Sequence, residues 1–419
     1  MSNQLRIAIV GGGISGIAAA HKLSERYSVT LFEASDSLGG HAHAETILVD
    51  GNEINVDTAF LIFNSRTYPL FSSFVEELGL SGLITSAEMS SCFDSKKISY
   101  SLGLPNQTIR TSFRQFTKPQ FIRLFFDLWR FRKNAAKDYK DLERIEGLSI
   151  GMYLKNYSIT FREHFALPLM TAIWSLPVED VEHHPAANVI RYFGNHSLLE
   201  GSSDRLWQTF LGSSRVYIDE FKRQFRGKVR LGTPIKKIVR SSMDAVLHGF
   251  QEDLGRFDRV ILATHADTAL SLLEMPSLLE ERLLGAWKYR SQAVTLHHDS
   301  NVLHKDPKYW GSWNMNGSMD GYRISYYLNR LQKLPVRTPV ILSLGDQTID
   351  PRLVRAKFTY RHPVFSAESV STQPLLPHLN TGITAFCGSY FGYGFHEDGL
   401  RSGLEAAKSL MDDTSNKPS

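Results

Sequence analysis

Near its start the chain passes from an aliphatic run, Arg6-Ile7-Ala8-Ile9-Val10, straight into Gly11-Gly12-Gly13-Ile14-Ser15-Gly16. No other segment limits the fold so sharply. The run reads as a buried parallel strand, Ile17 to Ser24 as a helix, and Tyr27 to Phe32 as a second strand that ends at Glu33. Each glycine has a task in such a unit. Gly11 permits the tight turn, Gly13 lets the backbone approach a pyrophosphate, and Gly16 lets the helix pack closely on the sheet. The helix N-terminus adds amide donors and the positive end of a dipole. Glu33 lies 20 residues beyond Gly13, where a carboxylate can take both hydroxyls of a ribose. A secretory leader is a poor alternative, because glycines interrupt the apolar run and only Arg6 precedes it. The segment predicts an adenine dinucleotide site, with Ile14 and Ser15 beside the pyrophosphate.

Composition removes several other classes. The 419 residues correspond to two or three domains at roughly 150 residues each. Lys plus Arg number 47 and Asp plus Glu 43, a net +4 that gives no reason to expect nucleic acid as the main partner. Cys92 and Cys387 are the two cysteines, far apart, so a disulfide framework, a thiolate zinc site and a dithiol centre are all disfavoured. No apolar run reaches the roughly 18 residues that span a bilayer. The chain reads as reduced and cytoplasmic, with a small-molecule or lipid substrate.

Two further segments bear on which dinucleotide is bound. Glu33-Ala34-Ser35-Asp36-Ser37-Leu38-Gly39-Gly40-His41 resembles the E-A-x-x-x-x-G-G-[RH] continuation of flavoenzymes in the amine oxidase and phytoene desaturase superfamily. A second glycine pair lets a loop lie against the same pyrophosphate, with His41 as a donor. Near the other end, Ile383 to Gly388 reads as a strand, and Ser389 to Leu400 as a glycine-rich crossing into an acid-led helix. Flavoenzymes of that superfamily close on FAD with such an element, and a nicotinamide dehydrogenase has no need of it. The resemblance implies FAD, held in part by Gly388, Ser389, Glu397, Gly399 and Leu400. Cys387 is not where relatives tether flavin through sulfur, so non-covalent FAD is expected.

The same resemblance implies an α/β fold of amine-oxidase-like architecture. A Rossmann-like FAD-binding domain, built on a parallel sheet with helices, is joined to an α+β substrate domain. The nucleotide domain would come from residues 1–75, 210–290 and 379–411, the substrate domain from 76–209 and 291–378, with 412–419 a frayed polar tail. By resemblance Ile235 touches the adenine, and Thr264 and Ala59 lie beside the cofactor.

Signatures along the whole chain are similar to one group of bacterial flavoproteins, often encoded with cyclopropane fatty acid synthases. They include Gly39-Gly40-His41-Ala42-His43, Val56 to Asn64, Ala172-Ile173-Trp174-Ser175 and Gly394-Phe395-His396-Glu397-Asp398-Gly399-Leu400. Two positions depart from the group: Ala59 stands where glycine is usual, and Gly212-Ser213-Ser214-Arg215 replaces a glycine pair before Ser-Arg. The resemblance implies an FAD-dependent oxidoreductase that abstracts hydride from an apolar, lipid or fatty-acyl substrate, as a desaturase or oxidase. Alternatives are an amine or polyene oxidase, and a flavin-bound accessory protein partnering a cyclopropane-synthase-like lipid methyltransferase.

Candidate chemistry centres on His396 and Glu397 at the start of the last helix. His396 could relay a proton and Glu397 orient it, or both could simply cap the helix. His297 and His298 precede Asp299, but no third ligand follows at metal spacing, so no metal is expected. Trp174, Trp310, Trp313, Tyr322, Tyr326 and Tyr327 would line an acyl tunnel or fill a core. Residues 110–140 hold nine basic and two acidic side chains, with Phe121, Leu124, Phe125, Leu128, Trp129 and Phe131 at helical spacing. Such a helix can rest peripherally on the inner face of an anionic membrane. A core-facing helix with a solvated basic face is the preferred reading.

Overall fold

The computed structural model describes residues 4–95, 97–104, 107–196, 198–199, 207–318 and 321–415. Along the chain, the strands that build its two large sheets begin with β1 (Arg6–Val10), β2 (Ser28–Phe32), β3 (Ser91–Asp94), β4 (Ser99–Leu104) and β5 (Gln107–Arg110). They continue with β6 (Lys228–Arg230), β7 (Arg259–Leu262), β8 (Lys288–His297) and β9 (Trp313–Ser318). The last are β10 (Gly321–Tyr327), β11 (Ile341–Leu344), β12 (Val354–Val364) and β13 (Thr384–Phe386).

The first sheet is parallel, in the order β6-β2-β1-β7-β13. Ile7 to Val10 and all of β7 are buried, the pattern of strands covered on both faces. Helix α1 (Ile14–Leu23) follows β1 and starts three residues before the predicted Ile17. Gly13 is its N-cap in an extended conformation, so the helix begins inside the glycine turn itself. The final helix, His396–Ser415, packs along α1, where a Cβ on Gly403 would lie 2.2 Å from Ser15 O. That helix runs through 412–415, where a frayed tail was expected; 416–419 lie outside the described residues.

The second sheet has eight strands, β12-β8-β11-β10-β9-β3-β4-β5. Val294 on β8 pairs with Leu344 on β11 and Phe358 on β12, and Leu342 pairs with Leu296 and Tyr326. Directly opposed residues share a face. These side chains therefore gather on one side, in a core with Ile324 and Met315.

Between β5 and β6 the chain is mostly helical. Helix α2 (Pro69–Glu77) precedes this stretch, and α3 (Pro119–Tyr139), α4 (Leu167–Trp174) and α5 (Arg215–Gln224) belong to it. Helix α3 buries Phe121, Leu124, Phe131 and Ala135. Trp129, predicted on that apolar face, is instead 58% exposed, and Ile122 and Phe126 beside it are 59% and 50% exposed. Before α5, Ser213 holds φ at 77°, a left-handed conformation that glycine adopts freely and serine does not. The departure from a glycine pair thus falls where the backbone feels it. Helix α6 (Ala266–Leu272) follows β7, and the last helix is α7 (His396–Ser415). Among the described residues no helix is long and apolar enough to cross a membrane.

Candidate dinucleotide and substrate cavity

A cavity of about 430 Å³ opens at the carboxyl ends of β1, β2, β7 and β13. Open α/β sheets bind ligands at this edge. The backbone there is shaped by its glycines. Gly11 holds φ at 108°, and a Cβ on it would sit 2.5 Å from Ala263 O. Gly13 differs, because a Cβ there would meet nothing within 4 Å and would point into open space. The Gly39 N–H donates to Gly12 O at 2.8 Å, docking the second glycine pair onto the first turn. No side chain caps α1, so its first amides are free to serve an anion. Glu33 is fixed by accepting from the N–H groups of Gly12 at 2.7 Å and Ser35 at 2.8 Å. An open Gly13, an uncapped helix start and a held carboxylate together fit an adenine dinucleotide.

The structure sorts the predicted cofactor residues into two groups. Gly11, Gly13, Ile14, Ser15, Glu33, Gly39, Gly40, His41, Ala59, Thr264, Gly388 and Ser389 all line the cavity. Gly16, Ala34, Ile235, Glu397, Gly399 and Leu400 do not. Gly16 acts from beneath, since a Cβ on it would lie 1.9 Å from Gly11 O. Ile235 opens a separate three-stranded antiparallel sheet. Gly399 packs on α1, and Leu400 is buried in the core around it. Glu397 turns away, its two oxygens accepting from the N–H groups of Leu70 and Phe71 at 2.9 Å each. It caps the start of α2, whose own N-cap residue, Tyr68, offers no side-chain bond. Burial raises the Glu397 carboxyl above its usual range.

The far end of the cavity is apolar, with Ile173, Trp174, Val294, Tyr326, Leu342 and Leu344. Of the predicted aromatics, Trp174 and Tyr326 are there, while Trp310, Trp313, Tyr322 and Tyr327 are not. Phe365 and Phe395 were missed, as were the aliphatic residues; period-two apolar alternation in β8 and β11 was the available signal.

Four histidines line the same space: His41, His265, His362 and His396. His396 stacks on Phe60 at 3.8 Å, meets Phe71 edge-on, and bonds Tyr217 Oη through Nε2 at 2.9 Å. Burial lowers its pKa to about 3, so the ring is neutral. His41 lies 5.2 Å from His362 and 6.2 Å from His265 between ring centroids. His43 instead pairs with Thr58, and His297 with Ser343. Among the described residues, no group of three or more His, Cys, Asp or Glu is arranged to hold a metal ion. Glu33 is the sole carboxylate among the lining residues described.

Residues 9–78 match the model of the NAD(P)-binding Rossmann-like domain family. The solved structure of cyclohexylamine oxidase from Brevibacterium oxydans superposes with a TM-score of 0.71 at 15% identity, covering 99% of this chain and 100% of that one. The fold is amine-oxidase-like. A CLA-producing fatty acid isomerase from P. acnes shares this amine-oxidase-like fold, with a TM-score of 0.67, 13% identity and coverage of 96% and 98%. In sequence, the chain is 29% identical over 334 residues to probable polyamine oxidase 4 of Arabidopsis thaliana. That match takes in 78% of this chain and 63% of the plant protein, so the chain spans less than two thirds of that relative's length.

Proposed function

We propose that the protein is an FAD-dependent oxidoreductase that holds its flavin non-covalently and takes hydride from an apolar substrate of lipid or fatty-acyl type. The single observation that carries this reading is the continuity of the cavity, from a glycine-built dinucleotide cradle to an apolar floor on the second sheet. Bound there, FAD would supply a two-electron acceptor. The chain's own residues do the rest. Gly13, Ser15 and Gly40 admit and hold the pyrophosphate, and Glu33 holds the ribose. Gly388 and Ser389, at the end of β13, hold the flavin end of the cofactor. Trp174, Val294, Tyr326 and Leu344 exclude water and align an alkyl chain. His396, kept neutral by burial and bonded to Tyr217, brings no charge into a dry site and would relay a proton only by releasing one from one ring nitrogen as it takes one at the other. Cys387 is buried with its thiol pKa pushed up, which makes it a poor nucleophile for a sulfur tether and supports the non-covalent reading.

Peripheral membrane contact belongs to the same proposal. Ile122, Phe126 and Trp129 form one exposed stripe on α3, with Lys118, Arg123 and Lys133 beside it. Arg123 and Lys133 lie over the rings of Phe126 and Trp129. Cations around exposed aromatics suit an anionic bilayer surface. An amine oxidase is the second reading, favoured by the plant relative and opposed by a cavity whose single carboxylate among the described residues sits at the nucleotide end. Purified protein should carry one FAD per chain, releasable by denaturation. Anaerobic membrane-lipid extract should bleach its visible absorbance. A colourless product that takes up no FAD, or bleaching by amines and not by lipids, defeats the proposal.

A further inference from the structure

We infer that His265 and His362, beside His41 of the pyrophosphate loop, form an oxyanion subsite for the acidic head of an amphiphilic substrate, whose tail lies along the second sheet. The inference rests on the flavin reading and names the substrate class of the same cavity.

The sheet supplies the axis. Alternation places Arg290, Gln292, Val294 and Leu296 of β8 on one face. Opposite them on β12 stand His362, Tyr360, Phe358 and Ala356. Six residues, or ~20 Å of strand, separate the level of His362 from that of Leu296, Leu342 and Tyr326. The floor therefore grades from imidazole through phenol to aliphatic side chains. Its length matches an extended acyl chain with a polar end.

The charges choose the sign of that end. Three imidazoles converge where no free carboxylate is present. Arg361 is committed to Asp267, and Arg290 to Asp180 at 2.7 and 3.0 Å. His41 bonds the Arg361 backbone, and His265 stacks on Tyr289 at 4.4 Å. His362 Nδ1 is buried with no hydrogen-bond partner. A cationic amine would meet imidazole lone pairs but no free anion to balance its charge, whereas a carboxylate or phosphate would receive N–H donors and favour protonation of the rings. Burial holds His41 at about 4, and burial together with the neighbouring imidazoles holds His265 at about 4 and His362 at about 3. An arriving anion raises them, so binding takes up protons and tightens as pH falls. The charged or titratable groups facing the cluster are Arg361, Asp267, Tyr289, Tyr360 and His396. Asp267 is already paired, and the tyrosines stay protonated because burial raises both.

The test is calorimetric titration of the flavin-loaded protein with dodecanoate, dodecyl phosphate, dodecanol and dodecylamine. At least one of the two anions should bind about tenfold or more tighter than dodecanol and dodecylamine, the scale of one charge-assisted hydrogen bond. Whether carboxylate or phosphate binds tighter tells a free acid from a phospholipid-like head. Dodecanoate should bind tighter at about pH 6 than at about pH 8, with proton uptake, since its own carboxyl stays ionised there. His265→Asn with His362→Asn should lose about tenfold in dodecanoate affinity while keeping FAD. Equal affinity for dodecanol, tighter binding of dodecylamine, or no proton uptake overturns the inference. Loss of FAD from the double variant also overturns it, assigning the cluster to the cofactor. Wild-type protein that takes up no FAD defeats the flavin reading before any amphiphile is added. If the double variant misfolds, the head-group and pH series on the wild type decide alone.

Discussion

Replacing Gly13 with alanine separates the cofactor's needs from the protein's. Gly13 caps α1 with φ at −74° and ψ at −179°, backbone values open to alanine. The added Cβ would meet no protein atom within 4 Å, so the apoprotein has room for it. Alanine is a poorer N-cap than glycine, a cost of at most about 1 kcal/mol. The methyl projects into the cavity, where a dinucleotide backbone must come close. Overpacking by one methyl costs about 1–3 kcal/mol, equivalent to FAD binding weakened about 5- to 150-fold. Gly16→Ala is the control, because its Cβ would lie 1.9 Å from Gly11 O and the clash falls on the protein itself. Thermal melting of the apoproteins and FAD titration by fluorescence read the two effects apart. Gly13→Ala should melt near wild type and bind FAD weakly; Gly16→Ala should melt low. Wild-type FAD affinity in Gly13→Ala would refute the assignment of this turn to the cofactor.

Other substitutions test the fold and its surface. Ser213→Gly should raise stability by about 1 kcal/mol in denaturant titration, because a left-handed backbone at φ 77° is relieved. Asp57 accepts from Ser214 and Gln332, and burial raises its pKa from 3.8 to about 7. The folded chain then holds the proton more tightly than the unfolded chain. That contribution is full below about pH 4 and is lost as pH rises through about 7, and Asp57→Asn should flatten stability across this window. Phe126→Ser with Trp129→Ser should leave the melting temperature unchanged and abolish sedimentation with phosphatidylglycerol vesicles; retained sedimentation excludes α3 as the contact. Glu397→Ala should cost about 1–3 kcal/mol in denaturant titration, since two amides at the start of α2 lose a charged acceptor.

The nucleotide half of the molecule was legible because glycine turns are local. Gly11, Gly13 and Glu33 fall where their spacing placed them, since one β-turn-α unit dictates their positions. The α1 start was misread by three residues because a glycine cap carries no side-chain signal. Glu397 was out of reach for a different reason: its partners, Leu70 and Phe71, are more than 300 residues away in the chain. The His41, His265 and His362 cluster likewise joins a loop, a helix cap and a strand that only tertiary folding brings together. On α3 the apolar periodicity was real, yet both faces carry large apolar residues, and spacing alone does not say which face is covered.

The two large sheets are interleaved along the chain. β3 joins its sheet beside β9, and β13 completes the other sheet only after every strand of the second has been made. Each sheet therefore contains a seam that waits for sequence synthesised much later, and closing such long loops is entropically slow. On the ribosome, the edge of β3 would stay unpaired until β9 emerges and the edge of β7 until β13 does, exposed to aggregation meanwhile. A protease cut in the helical region would not free either half as a stable fragment, because each half would leave with a strand its partner needs.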